Sequence, residues 1–170
     1  MELVAAAYQR RKEFFGKQLS VHMINNACNG HCSEDCKYCV QSKFSTAMLD
    51  REGLKDEADI VREAIQAYQR GADCYGLVYS GKGLFDKRLD QIVRLVARIK
   101  AAVPLAICAS VGFVDRDQAK KLKDAGVDRL HHNLNTSEDF YPKICTTHFY
   151  GERIKTLEAA RSAGLPVCCG

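Results

Sequence analysis

Three features that would point to other classes of protein are missing from this 170-residue sequence. No apolar run approaches the roughly 18 to 20 residues that a membrane-spanning helix needs. Its 25 basic and 21 acidic residues, with a formal charge of +4, are interspersed, so no basic tract predicts nucleic acid as a partner. The first residues, MELVAAAYQRRKEFFG, do not have the order of charge, apolar stretch and cleavage site of a signal peptide. We therefore expect a cytoplasmic protein that is not attached to a membrane.

What the sequence does have is an unusual number of cysteines. An odd count of thiols without an export signal argues against a disulfide framework, because a reducing compartment keeps thiols free for metals or chemistry. The pattern therefore suggests metal binding. The nine cysteines are Cys28, Cys32, Cys36, Cys39, Cys74, Cys108, Cys145, Cys168 and Cys169.

The hydrophobic pattern repeats a short apolar strand followed by an amphipathic helix, which is typical of a parallel sheet built from crossover units. Predicted strands lie at 19–27, from 74, at 105–112, from 129 and from 165. Predicted helices lie at 56–70, 87–102, 115–126 and 151–163. The sequence thus predicts an α/β protein with four strand-helix units and the start of a fifth strand.

Four such units are about half of a TIM-type (β/α) barrel, for which roughly 250 residues is typical. We expect residues 1–170 to form one partial barrel domain whose carboxyl-terminal part is absent. Stopping there leaves an unpaired strand edge, so the chain should be marginally stable alone. The alternative is a complete, small open sheet.

The cysteines are densest directly after the first predicted strand, in CNGHCSEDCKYCVQSK. Cys32, Cys36 and Cys39 have the spacing C-x3-C-x2-C, and three thiolates can hold three irons of a 4Fe-4S cluster while the fourth iron stays open to a small molecule. The position fits, because barrels place active sites after the carboxyl ends of their strands. A structural zinc site with Cys28 as fourth ligand is the alternative, although such sites usually use two separated knuckles.

This spacing resembles that of the radical S-adenosylmethionine (SAM) superfamily, whose open iron binds the methionine part of SAM and whose chemistry yields a 5'-deoxyadenosyl radical. The segment HCSEDCKYCVQS is also similar to the cluster loop of the biotin synthase family. A second stretch, LHHNLNTSEDFYPKICTTHFYGERIKTLEAARSAGLPVCCG, resembles the fourth and fifth strands of that family and the segments between them. Nearly the whole chain is covered by the resemblance.

The resemblance implies that Cys32, Cys36 and Cys39 bind the 4Fe-4S cluster and that SAM is held by residues spread along the chain. Backbone around Tyr38 would meet the adenine, and backbone at 78–81, which includes Tyr79, would meet the methionine amino group. Asn133 and Asn135 alternate on one face of the fourth predicted strand, and the resemblance implies contacts with substrate and ribose there. It also implies His131 for substrate and Arg153 for the cofactor carboxylate. Packing for Tyr38, and a solvated helix charge for Arg153, are the ordinary alternatives.

The family also holds an auxiliary iron-sulfur cluster, and Cys108 and Cys168 match two of its ligands. Small buried apolar residues are the competing interpretation of both. The chain departs from the family at Gly76, where a further cluster cysteine is usual, while Cys74 lies two residues earlier on the same face of the strand. We expect an auxiliary cluster of altered type, with Cys74 or Cys28 as possible additional ligands.

Two more departures concern the substrate, because His131 stands where the family usually has asparagine and Asn135 where it has aspartate. Neutral groups at both positions can still hydrogen-bond a ureido ring or ribose.

The resemblance implies a radical SAM sulfurtransferase that converts dethiobiotin to biotin, with a flavodoxin or ferredoxin as electron donor and a homodimeric full-length protein. One alternative is another radical SAM enzyme of similar barrel, such as a methylornithine synthase or a hydrogenase maturase, which would lack the interior cysteines. A second alternative is an inactive metal-binding fragment.

Overall fold

The computed structural model describes residues 2–30, 32–50 and 53–170, in which helices and strands alternate. The strands are β1 (His22–Cys28), β2 (Cys74–Tyr79), β3 (Ala106–Ser110), β4 (Arg129–His131) and β5 (Val167–Cys168). The helices are α1 (Glu2–Phe15), α2 (Glu57–Gln69), α3 (Asp86–Ala102), α4 (Arg116–Asp124), α5 (Tyr141–Ile144) and α6 (Tyr150–Ser162). None of the helices within these ranges is long and apolar enough to cross a membrane.

The strands form one parallel sheet in the order β1-β2-β3-β4-β5. Each strand therefore lies beside the next one in the chain, with a helix in every connection. A doubly wound open sheet reverses its strand order at a switch point, whereas a (β/α) barrel keeps it sequential. The observed order is that of the predicted barrel.

The two faces of the sheet differ in what covers them. Leu77, Ile107 and Leu130 point to the helices and are fully buried in the main core. Because side chains alternate along a strand, Cys74 and Gly76 point to the opposite face, the interior of a closed barrel. That interior face is open, and Ile24 of β1 is 72% exposed.

Local sequence signals account for the helix boundaries. The Asp56 side chain accepts a hydrogen bond of 2.7 Å from the Ala58 amide at the start of α2. Asp115 and Gln118 form a reciprocal capping box at the start of α4. Gly71 follows α2 with a φ of +85°, a conformation that favours glycine. The bounds predicted for α2, α3, α4 and α6 are confirmed to within one or two residues.

Strand β1 begins three residues later than predicted, at His22, and three further elements differ from the prediction. The helices α1 and α5 were not predicted, and none of the described side chains of α1 is buried. The strand predicted from Arg129 was expected to carry Asn133 and Asn135 on one face, but β4 ends at His131. Asn135 has a φ of +70°, outside the strand range, and its side chain donates to the Asn133 carbonyl at 3.1 Å. Asparagine tolerates this left-handed conformation, so the alternation of faces stops there.

Candidate functional site

A cleft of about 250 Å³ opens at the carboxyl end of the sheet. The loop after β1, the ends of β2 and β3, the segment after β4 and the start of α6 all contribute to it. The predicted site residues that line this cleft are Cys32, Cys36, Tyr38, Cys39, Tyr79, His131, Asn133, Asn135 and Arg153. Nine predicted residues that are separated by up to 121 positions in the chain thus meet in one place.

The cysteine loop is held against the segment after α5. The Asp35 carboxylate accepts hydrogen bonds from the amides of Thr146 and Thr147, at 2.9 and 3.2 Å, and from both of their hydroxyls. These bonds, with that from the Thr146 hydroxyl the strongest, hold the pKa of Asp35 well below its ordinary value. The Lys37 amide adds a bond of 2.9 Å to the Ile144 carbonyl. This clamp fixes the loop that carries the three cysteines.

Cys32 lies against the turn that follows β2. Burial raises the pKa of its thiol, whereas hydrogen bonds with the backbone of Glu34 and Gly81 act in the opposite direction. Hydrogen bonds to cluster sulfurs are one of the means by which proteins tune an iron-sulfur centre. The surroundings of Cys32 therefore fit a cluster ligand.

Cys36 belongs to a second group of possible metal ligands. Its Sγ lies 3.7 Å from Cys145 Sγ and 3.9 Å from His148 Nε2, and all three residues are buried. Burial, followed by the proximity of Cys145, raises the pKa of the Cys36 thiol to about 12. A bound metal favours the thiolate and so counteracts such a shift. Cys36 can therefore be a ligand either of the predicted cluster, with Cys32 and Cys39, or of a metal ion held with Cys145 and His148.

Arg153 is held in a fixed orientation beside the cleft. Its Nη1 donates to the Asn133 carbonyl at 2.9 Å, and its Nη2 approaches Tyr38 Oη at 3.3 Å and His148 Nε2 at 3.0 Å. Its Nε donates to the Tyr141 hydroxyl. This arrangement agrees with a binding role better than with a solvated helix charge.

Behind Arg153 lies a buried pair formed by Glu34 and His148, with His148 Nδ1 2.6 Å from Glu34 Oε2. Burial raises the pKa of Glu34, but hydrogen bonds with Thr147 and His148 outweigh it, and the net shift is downward. Burial also lowers the pKa of His148, against the effect of Glu34. Both shifts favour a carboxylate beside a neutral imidazole.

Other groups around the cleft fit a polar ligand. Asn133 Oδ1 is buried and has no hydrogen-bond partner among the described residues, and buried acceptors of this kind are normally satisfied. The Tyr38 side chain is half exposed. Gly81 has a φ of +139°, a backbone conformation that residues with a side chain rarely adopt. The Tyr79 side chain, in contrast, packs in the core against the helices, so only its backbone can serve a ligand in the cleft. The residues present therefore fit a cofactor with hydroxyl, amino and carboxylate groups.

Cys108 and Cys168 do not line the cleft but lie deeper on the same face of the sheet. Cys108 is opposite Gly76 on one side and Arg129 on the other, and Cys168 is opposite His131. Burial raises the pKa of Cys108 to about 11, with Cys74 and Cys168 adding to the rise and Arg129 opposing it. Three thiols are thus close enough to interact on the interior face.

Cys28 lies elsewhere. It is buried in the apolar core, and the Ser80 hydroxyl donates to its Sγ at 3.5 Å. This position argues against Cys28 as a ligand in a group with Cys108 and Cys168, and it leaves Cys74 as the better candidate.

The sequence reasoning missed four residues that shape the site: Glu34, Tyr141, Cys145 and His148. Glu34 and His148 are 114 positions apart, so no local spacing connects them. The one available signal was their presence in the two segments that carry the family resemblance.

Comparisons with known proteins agree with this geometry. The profile of the radical SAM superfamily matches residues 27–170. The chain is 44% identical over its entire length to a biotin synthase of Magnetococcus marinus and 48% identical to one of Acaryochloris marina. Among solved structures, a methylornithine synthase matches with a TM-score of 0.83 at 20% identity, over 98% of this chain and 48% of the other. At that identity the match shows the fold alone, a (β/α) barrel chain of which this chain spans about half the length.

The chain spans about half the length of the curated relatives it matches, 53% of the first biotin synthase and 49% of the second. The superfamily profile, by contrast, covers most of this chain, including all three cysteines of the C-x3-C-x2-C motif. The chain belongs to the radical SAM superfamily, whose members use a 4Fe-4S cluster and SAM.

Proposed function

We propose that this chain is the amino-terminal half-barrel of a biotin synthase, which converts dethiobiotin to biotin by radical chemistry and sulfur insertion. The observation that carries the proposal is the meeting of the three motif cysteines with Asn133 and Arg153 around one cleft. Similarity to biotin synthases over the whole chain supports this activity above that of other radical SAM enzymes.

In this proposal Cys32, Cys36 and Cys39 hold the 4Fe-4S cluster. The cluster and SAM, when bound, supply an electron and a carbon-centred radical that abstracts hydrogen from the substrate. Arg153 would bind the cofactor carboxylate, since its planar fork of donors matches that group and is already oriented by the surrounding contacts. Asn133 Oδ1, the unpaired buried acceptor, would receive a hydrogen bond from a ribose hydroxyl.

The remaining cleft residues would complete the binding of cofactor and substrate. Backbone groups at Tyr38 and Tyr79 would face the adenine and the methionine amino group, respectively. His131 and Asn135 offer neutral hydrogen-bonding groups. We assign His131 and the amide nitrogen of Asn133 to the ureido ring of dethiobiotin, and Asn135, together with Asn133 Oδ1, to the ribose.

An auxiliary iron-sulfur cluster of altered type would occupy the interior face and serve as the source of sulfur. Its ligands on this chain would be Cys108 and Cys168, with Cys74 as the third thiol. Their shared face and their mutual influence on the pKa of Cys108 support this grouping. Iron and sulfide counts on the full-length, anaerobically reconstituted protein test it: we expect more than one cluster per chain and a loss of iron in Cys108→Ala. Material with a single four-iron cluster would contradict it.

The proposal includes partners that follow from the chemistry. A flavodoxin or ferredoxin would deliver the electron, the full-length protein would form a homodimer, and the cytoplasm would keep the thiols reduced. All nine cysteines are free in the structure, as such a compartment requires.

The decisive experiment is an anaerobic assay of the full-length, iron-loaded protein with SAM, a reductant and dethiobiotin. We expect 5'-deoxyadenosine, methionine and biotin, and a change in the electron paramagnetic resonance spectrum of the reduced cluster when SAM is added. Formation of 5'-deoxyadenosine without biotin would favour another radical SAM activity. Colourless protein that carries zinc would contradict the proposal altogether.

A further inference from the structure

A chain of contacts runs from the cysteine loop to the cleft through one buried histidine. Glu34 of the loop contacts His148 Nδ1 at 2.6 Å, and Arg153 contacts His148 Nε2 at 3.0 Å. The side chains of His148 and Glu34 are 1% and 8% exposed, respectively. The cofactor role assigned to Arg153 does not by itself explain why a histidine lies behind it.

The chemistry of the donors fixes the state of the imidazole. A guanidinium has five N–H donors and no acceptor, so His148 Nε2 must accept from Arg153 with its lone pair. The ring is then neutral with its proton on Nδ1, and that proton is donated to the Glu34 carboxylate. His148 thus links a carboxylate to a guanidinium without becoming charged itself.

Packing keeps this ring in place. The centroid of the His148 ring lies 5.1 Å from that of Phe113 and 5.8 Å from that of Tyr141, both in edge-on geometry. Such aromatic contacts prefer defined orientations. The acceptor at Nε2 is therefore presented to Arg153 in one direction.

The contacts of Arg153 show what this acceptor contributes. Tyr141, the Asn133 carbonyl, Tyr38 and His148 account for four of the five N–H groups of the guanidinium. Tyr38 is half exposed, and its contact is the longest, so it is the partner that a ligand displaces most easily. His148 is the buried partner of Nη2 and holds the fork when Tyr38 is displaced.

Metal binding by Cys36, Cys145 and His148 is the rival explanation for the same ring. It would require the Nε2 lone pair that Arg153 already uses, or the Nδ1 position that faces Glu34. The hydrogen-bond role leaves both contacts intact and therefore accounts for more of the geometry.

We propose that His148 is a positioning residue that orients Arg153 toward the carboxylate of the cofactor, with Glu34 holding the imidazole in the tautomer that accepts from the guanidinium. This inference rests on the proposed function, because it assumes that Arg153 meets SAM. It assigns His148 no contact with cofactor or substrate.

Three substitutions separate the two hydrogen bonds of the ring. His148→Gln places an amide oxygen near the position of Nε2 and can still accept from Arg153. His148→Asn places an amide N–H near the position of Nδ1 and can bond only Glu34. His148→Phe keeps an aromatic ring at this position and loses the hydrogen bonds to both Glu34 and Arg153. Gln66→Phe, at an exposed position of helix α2, is the control for an added aromatic ring.

The measurement is a SAM titration of the full-length, reconstituted and reduced protein, followed by the change in the cluster's paramagnetic resonance spectrum. Iron and sulfide content and the thermal unfolding midpoint are recorded for each variant. We expect His148→Phe and His148→Asn to bind SAM roughly tenfold or more weakly, in keeping with a lost hydrogen bond to a charged group. His148→Gln should stay within about threefold of the parent, because it retains that bond. All three should keep their iron.

SAM binding like that of the parent in all three variants overturns the inference. So does a parallel loss of iron and cofactor binding in all three, because the histidine would then be a cluster ligand or a folding requirement. A parent protein that carries its cluster but shows no response to SAM contradicts the proposed function as well, and that result is read before any variant is made. If His148→Phe does not fold, the contrast between the Gln and Asn variants decides.

Discussion

The thiol of Cys36 is shared by two groups that cannot both use it at once. One is the motif with Cys32 and Cys39, which lines the cleft. The other is the buried trio with Cys145 and His148, whose ligand atoms lie within 4.8 Å of one another. A four-iron cluster needs the first group, and a single tetrahedral ion would suit the second.

Paired alanine substitutions distinguish the two groups. We expect Cys36→Ala to lose most of the four-iron cluster, because only two motif thiolates remain to hold it. Cys145→Ala should retain the cluster, since it removes a neighbour of the ligand and not a ligand. Iron analysis and the visible absorption of anaerobically reconstituted protein measure both, with exposed Cys169→Ala as control. Equal iron loss in the Cys36 and Cys145 variants would assign the metal to the buried trio.

Among individual site residues, the sequence predicted those that lie close together in the chain or at the ends of strands. It predicted few of the others. The three motif cysteines lie within eight positions, and Arg153 and Asn133 were located by family resemblance. The contact between Glu34 and His148 depends on how two loops pack after the sheet has formed. No propensity or spacing encodes such a contact, because it is a consequence of tertiary structure.

At the level of secondary-structure elements, the loops that follow β2 and β3 lie so close together that position 112 has no room for a side chain. Gly112 has a φ of +80°, and a Cβ there would lie 2.4 Å from the Lys82 carbonyl oxygen. The Phe113 amide donates to the same carbonyl at 2.8 Å. This contact shapes one wall of the cleft, since Lys82, Gly112 and Phe113 all line it.

Gly112→Ala should therefore lower the free energy of unfolding more than Gly71→Ala does. Gly71 has a similar φ of +85° but open space around it. Gly71→Ala should destabilise the protein by about 1 kcal/mol, because alanine is strained in the left-handed conformation. Gly112→Ala should destabilise the protein by roughly 2–5 kcal/mol, because it adds the displacement of the facing loop to the same backbone strain. Chemical denaturation of the full-length protein, followed by circular dichroism, gives both values. Equal costs would mean that the two loops separate without strain.

The elements also show where prediction from sequence stops. The predicted starts of α2 and α4 agree with the structure, in which Asp56 and Asp115 cap the two helices through local hydrogen bonds. Helix α1 has no apolar stripe buried in the described chain, so periodicity had nothing to detect. The single turn of α5 is too short for a periodic signal. Strand β4 ends at His131, and the later Asn135 adopts a left-handed backbone conformation that its residue type permits but does not require.

At the largest scale, the residues that the structure describes form a sheet with two unpaired edges and one uncovered face. Among the described strands, β1 pairs only with β2 and β5 only with β4. Ile24 is largely exposed on the interior face, and Cys108 is partly exposed there. Further parallel strands would pair both edges, enclose this face and bury the interior thiols, as in a closed barrel.

A polypeptide confined to residues 1–170 should therefore differ from one that continues into further barrel units. Exposed apolar surface and strand edges favour self-association, so we expect the shorter polypeptide to bind a hydrophobic dye and to sediment as mixed oligomers. The longer protein should show neither the dye binding nor the heterogeneity. Ile24→Lys in the shorter polypeptide should reduce the dye signal, because it places a charge on the exposed face. A monodisperse, dye-silent monomer of residues 1–170 would instead indicate a complete open sheet, and the interior cysteines would then face solvent and could not form a buried auxiliary cluster.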